Sequence, residues 1–193
     1  IIYVDNLHMS CEKNNGVLLK NGGFRMSFKE IAPENFEESV FKVIGKDWLL
    51  LAGTKDGKTN AMTASWGGMG IMWGKPVAFV FIRPQRYTKE FVDNSDGMTI
   101  SVLEDPDHKV MSYFGRVSGR DEDKIAKTGL TKVEENGQVY FEEARIAMVC
   151  RKLYAQEMKP ECFFDKESDA KWYPNKDYHT MYVMEIEKLL VKE

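Results

Sequence analysis

Apolar residues along this chain gather in short runs of strand length, separated by turns rich in glycine, asparagine, aspartate and proline. Residues 47–53 form a continuous apolar run closed by Lys55-Asp56-Gly57-Lys58, which leads into residues 60–66. The Asp-Gly pair predicts a hairpin between the two. Residues 76–83 are the clearest strand, β-branched and aromatic, with proline at an opening position that a strand accepts. Residues 98–103 form a further strand, and residues 145–158 and 179–191 two long ones with an interruption at 160–165. Asn136-Gly137, between residues 130–133 and 139–141, predicts a second hairpin.

Helical spacing is rarer. Residues 33–44 read as one amphipathic helix, with Pro33 in its first turn, Phe36, Val40, Phe41 and Ile44 as its apolar positions and Gly45 as its stop. Thr88 is placed to cap a helix that begins at Lys89, Glu90 and Phe91. Residues 107–114 predict a helix ended by Gly115, and residues 123–126 a shorter one. Gly67, Gly68, Gly70 and Gly74 crowd a stretch that reads as a loop tolerant of close backbone approach. Many antiparallel strands with short helices between them indicate a mainly β fold, a small β-barrel.

Residues 1–25 mix asparagine, glycine and lysine with scattered apolar positions and lack this order. They are expected to be an extension, non-native or disordered, with Met26 as the native start and residues 26–193 as one domain. The whole chain has 193 residues, 43% hydrophobic and 30% charged, with a net charge of -3. That balance describes one ordered domain and offers no broad basic surface for nucleic acid. Three cysteines, Cys11, Cys150 and Cys162, form no CxxC pair, so no metal site is expected and a reducing, cytoplasmic setting is. No apolar run reaches the length of a membrane span.

Candidate chemistry centres on Arg83, Arg86 and Lys89, which stand beside Thr88 and a helix start. Such a corner suits a phosphate, although a solvated basic turn has the same composition. Asn60, Thr63 and Ser65 bring short polar groups to a neighbouring strand end. Trp66, Met69, Met72 and Trp73 offer flat or adaptable surface for an aromatic ligand, or equally for a core or a dimer seam. His179, at the start of the last strand, is a candidate for the ligand's vicinity or simply a structural hydrogen bonder. No GxGxxG, GxSxG, HExxH or Walker motif is present, and the pairs Glu134-Glu135 and Glu142-Glu143 read as solvated turns.

Residues 60–66 followed by 75–88, then Gly115 to Asp121 with Asp123-Lys124, then Tyr178-His179-Thr180, together resemble the flavin reductase-like family of FMN-binding split barrels, especially its flavoredoxin branch. The resemblance runs from Met26 to the C-terminus. It implies a six-stranded antiparallel split barrel of Greek-key type that forms a homodimer, with FMN near the interface. Asn60, Met62, Thr63, Ala64, Ser65 and Trp66 would then line the isoalloxazine and ribityl chain, and Arg83, Arg86, Tyr87, Thr88 and Lys89 the phosphate. Ser118 and Gly119 would lie close to the flavin and His179 near the ring edge. Met184 departs from the pattern, which has a small residue there. The activity implied is electron transfer from NAD(P)H through FMN to a flavin or another small acceptor. The alternatives are a flavoredoxin-like carrier reduced by a protein partner and a non-enzymatic flavin-binding module.

Overall fold

In the hairpin between β2 (Leu49–Lys55) and β3 (Lys58–Ala64), Asp56 and Gly57 both take positive φ, the mirror-image turn whose twist matches that of paired strands. The computed structural model describes residues 27–193, so the expectations for residues 1–25 and for Met26 as the start lie outside the described residues. Before the hairpin stand β1 (Phe28–Ile31) and a short α1 (Val40–Lys42). After it come β4 (Gly67–Met72), β5 (Lys75–Ile82), α2 (Tyr87–Asp93), β6 (Gly97–Leu103), α3 (Lys109–Arg116) and α4 (Lys124–Thr128). The chain ends through β7 (Lys132–Glu135), β8 (Gln138–Phe141), β9 (Ala144–Glu157), α5 (Lys166–Trp172) and β10 (Thr180–Lys192).

One antiparallel sheet runs in the order β3-β2-β6-β9-β10-β5-β4, and β1 adds to the far half of β10. β7 and β8 pair separately. The six consecutive strands from β3 to β5 correspond to the six expected, and β1 and β4 extend them. Alternate residues of those six strands share one interior: Leu49 and Leu51, Met62 and Ala64, Val80 and Ile82, Ile100 and Val102, Ile146 and Met148, Tyr182 and Met184. Period-two alternation on curved neighbouring strands fills a barrel interior in this way. On the other face, Leu50, Ala52 and Ala61 pack under Met111 and Phe114 of α3 and Ile125 of α4. Met184 is fully buried in the interior, which has room for the larger side chain.

Four sequence expectations change. Residues 33–44 are not one helix: a 3-10 turn at Pro33–Asn35 gives way to extended backbone at Phe36, and Ser39 caps a new start by accepting from the Lys42 N–H. The break lets Phe36 pack on the core, while Phe41, counted above as an apolar position, is 91% exposed. The glycine-rich stretch is strand β4 rather than a loop. A Cβ on Gly67 would stand 2.6 Å from the Phe79 carbonyl oxygen, so glycine is what allows β4 this close to β5. Thr88 lies inside α2, whose cap is Arg86, and spends its hydroxyl on Asn60 instead. Gly115 sits within the last turn of α3, and α5 was not anticipated.

Candidate functional site

β3 ends at Ala64, Ser65 and Trp66 carry the chain across to β4, and the end of β5 runs alongside. Between them opens a cavity of about 430 Å³ lined by Met62, Thr63, Ala64, Ser65, Trp66, Phe81, Arg83, Arg86, Trp172 and His179. The indoles of Trp66 and Trp172 meet edge to face at 5.1 Å, and the His179 ring lies 5.1 Å from Trp66. Both indoles are partly exposed, so the aromatic wall reaches the mouth. Thr63 donates to the Met111 carbonyl and ties β3 to α3.

His179 is held at two points. Its carbonyl accepts from the Met158 N–H at 2.9 Å, and its Nδ1 lies 2.8 Å from the Tyr173 hydroxyl. Burial, reinforced by the nearby Arg83 charge, pushes its pKa down to about 4, so the imidazole is neutral near pH 7. Arg83 is itself engaged: it pairs with Asp177, donates to the Trp172 carbonyl at 2.8 Å and lies over the Tyr173 ring. It braces the α5–β10 wall of the cavity. The hydrogen bonds from Arg83 and Gln85 hold the Asp177 carboxyl below its ordinary range.

A second, smaller space of about 120 Å³ shares Met62 and Arg86 with the first and is lined also by Asn60, Gln85, Tyr87, Thr88, Arg116, Val117, Ser118, Gly119 and Lys124. Arg86 donates to the carbonyls of Gly115 at 2.7 Å and Phe114 at 3.3 Å. Lys124, buried, donates to those of Ala61 at 2.7 Å and Phe114 at 3.2 Å. Among the described residues no carboxylate pairs with either cation. Burial lowers the pKa of both, and burial together with the neighbouring Arg86 takes Lys124 down to about 8. A buried lysine and a half-buried arginine side by side, partnered by carbonyl dipoles and, for Lys124, the Phe114 ring, are costly to withdraw from water. An anion seated between them would offset that cost. Asn60 Nδ2 donates to Thr88 Oγ1 at 2.8 Å, and a Cβ on Gly119 would stand 1.9 Å from Asn60 Oδ1, so only glycine fits that wall.

The structure thus brings Asn60, Met62, Arg86, Tyr87, Thr88, Ser118 and Gly119 into one corner, and the run from Met62 to Trp66 with His179 around the larger cavity. Arg83 faces the larger cavity rather than the corner. Lys89 pairs with Asp93 at 2.6 Å, approaches the Tyr182 ring and lines neither space, so of the five residues expected around a phosphate the smaller space is lined by Arg86, Tyr87 and Thr88. Lys124 lines the same space. It belongs to a stretch that carries the family resemblance but is given no role there; beside it Asp123 caps α4 by accepting from the Ala126 N–H. Trp172 was missed together with α5.

The family model described as Flavin reductase like domain matches residues 47–193, and the chain belongs to that family. Among solved structures, it is similar to an FMN-binding domain of a flavin reductases-like enzyme from Shewanella baltica, with 14% identity, 88% of this chain and 79% of that one covered, and a TM-score of 0.63. It is also similar to flavoredoxin of Desulfovibrio vulgaris (24% identity, 76% and 69% covered, TM-score 0.59). A flavoredoxin from Methanosarcina acetivorans aligns at 19% identity over 74% and 67% of the two chains, with a TM-score of 0.59. These likenesses establish the split-barrel fold. No curated protein matches the chain by sequence. Among the described residues no helix is long and apolar enough to cross a membrane.

Proposed function

We propose that this protein binds FMN, its phosphate between Arg86 and Lys124 and its ring in the cavity of Trp66, Trp172 and His179, and acts as an oxidoreductase carrying electrons from NAD(P)H to a flavin or another small acceptor. The observation that carries this reading is a buried Lys124 beside a half-buried Arg86, neither paired with a carboxylate among the described residues, in a small pocket that shares a wall with an aromatic-lined one. The FMN-binding relative in the same family supports it. Bound there, FMN supplies the redox chemistry by exchanging electrons at its ring system. The chain's part is to hold and orient. Arg86, Lys124 and Thr88 fix the phosphate end, Met62 to Trp66 lie along the ring, and the neutral His179 keeps an uncharged edge beside it. The aromatic wall excludes water from one side. We further propose that the protein is a cytoplasmic homodimer, for which the partly exposed Ile71, Trp73 and Tyr154 supply apolar surface.

A second reading, a flavoredoxin-like carrier reduced by a protein partner, draws on the two relatives named flavoredoxin and on the indoles that stand at the mouth of the cavity. An absorbance spectrum of the purified protein, repeated anaerobically with NADH or NADPH, separates the readings. Rapid bleaching of a flavin band identifies the reductase. A flavin that stays oxidised until a reduced redox protein is added identifies the carrier. No flavin after incubation with FMN contradicts both.

A further inference from the structure

The Tyr173 hydroxyl has two neighbours, His179 Nδ1 at 2.8 Å and the Met158 sulfur at 3.6 Å. A thioether is a weak acceptor, whereas an imidazole nitrogen is a strong one, so the single hydroxyl proton is better placed on the bond to Nδ1. That choice fixes the tautomer of the neutral ring. The other nitrogen, Nε2, has no protein partner among the described residues, and His179 lines the larger cavity. The charged groups nearby, Arg83 and Asp177, are bound to each other and leave the ring to Tyr173. Tyr173 is itself held in place: its ring stacks on Tyr178 at 4.8 Å, lies edge-on to Phe163 and carries the Arg83 guanidinium above it.

We propose that Tyr173 is a positioning residue whose hydroxyl places the ring proton of His179 on Nε2, so that His179 presents a fixed N–H donor to a carbonyl oxygen of the ligand in the cavity. The ligand half of this inference rests on the flavin reading; the tautomer does not. The carbonyl could belong to the flavin ring or to a second substrate bound against it. Both offer the same acceptor chemistry.

The test is long-range nitrogen-15 NMR of the histidine rings in the purified chain, without and with FMN, for the native protein and for Tyr173→Phe. The expected result is a single Nε2–H tautomer in the native protein and a mixture of tautomers in Tyr173→Phe, with a cooperative melting transition showing that the variant is folded. A native ring protonated on Nδ1, or a tautomer ratio unmoved by Tyr173→Phe, overturns the proposal. His179→Gln, whose amide nitrogen reaches the Nε2 position, and His179→Ala identify the source of the carbonyl. If it is the flavin's, His179→Ala weakens FMN binding about five- to tenfold and His179→Gln restores it. If it is the second substrate's, FMN affinity holds and that substrate's KM rises by a similar factor in His179→Ala alone. Neither change overturns the donor role. A chain that takes up no flavin defeats the flavin reading while the NMR result stands.

Discussion

Lys124 is the residue on which the proposed site turns. Its folded pKa of about 8 lies below the ordinary 10.5, so between those values the unfolded chain binds the proton that the folded chain has released. Stability of the flavin-free protein should therefore rise with pH through that window, and Lys124→Met should flatten the rise while stabilising the flavin-free fold near pH 7. Denaturant melts across pH 7 to 10.5 check both. The same variant loses a charge-assisted contact to phosphate, and its FMN affinity should fall by about tenfold or more in a fluorescence titration. Gly119→Ala strikes the corner differently: the new methyl displaces Asn60, breaks its bond to Thr88 and should cost about 1–3 kcal/mol in a melt. Arg86 and Thr88 were legible in the sequence because cations and a hydroxyl close together announce an anion. Arg83 and Lys89 carried the same signal, but each is paired with a carboxylate: Arg83 with Asp177, which only the fold brings near, and Lys89 with Asp93, one turn along its own helix. Lys124 stood in a stretch that carried the resemblance, but its burial was not legible, being set by α3 and β3 rather than by its own neighbours in sequence.

At the scale of elements, strands were readable wherever alternation or a turn motif was local. β2, β3, β5, β6 and β9 fall within a residue or two of expectation, because short apolar runs or alternations bounded by turns directly report strands, β2 and β6 being buried on both faces. β4 hid behind its glycines, which signal a loop when read one residue at a time and a close strand contact once β5 is in place. Gly67→Val should therefore destabilise the protein by about 1–3 kcal/mol through its clash with the Phe79 carbonyl. Gly70→Ala, which meets nothing within 4 Å, should stay within about 0.5 kcal/mol. Parallel melts of the two variants check the contrast. α5 did leave a local trace: the Asp165 side chain accepts from the Glu167 N–H and the Ser168 hydroxyl, a cap that precedes Glu167 and Asp169 in the first turn. The helix matters because it delivers Trp172 to the cavity and Tyr173 to His179.

For the molecule as a whole, six strands enclose one apolar interior, and the two proposed ligand spaces lie where β3, β5, α5 and the α3–α4 connection meet at its margin. Buried groups at that margin give stability a pH dependence at the acid end as well. His179 has a folded pKa of about 4 against an ordinary 6.5, so the unfolded chain takes up a proton first as pH falls. Its contribution to stability should be complete above pH 6.5 and decline towards pH 4, and His179→Gln should lack that decline in melts over the same range. The central claim, that the corner of Arg86, Thr88 and Lys124 anchors a flavin by its phosphate, is tested most directly by comparing FMN with riboflavin, which carries the same ring and ribityl chain without the phosphate. Titrated into flavin-free protein near pH 7, FMN should bind more tightly by at least about a hundredfold, the effect of two charge-assisted contacts. Equal affinities for the two ligands would contradict the assignment of that corner.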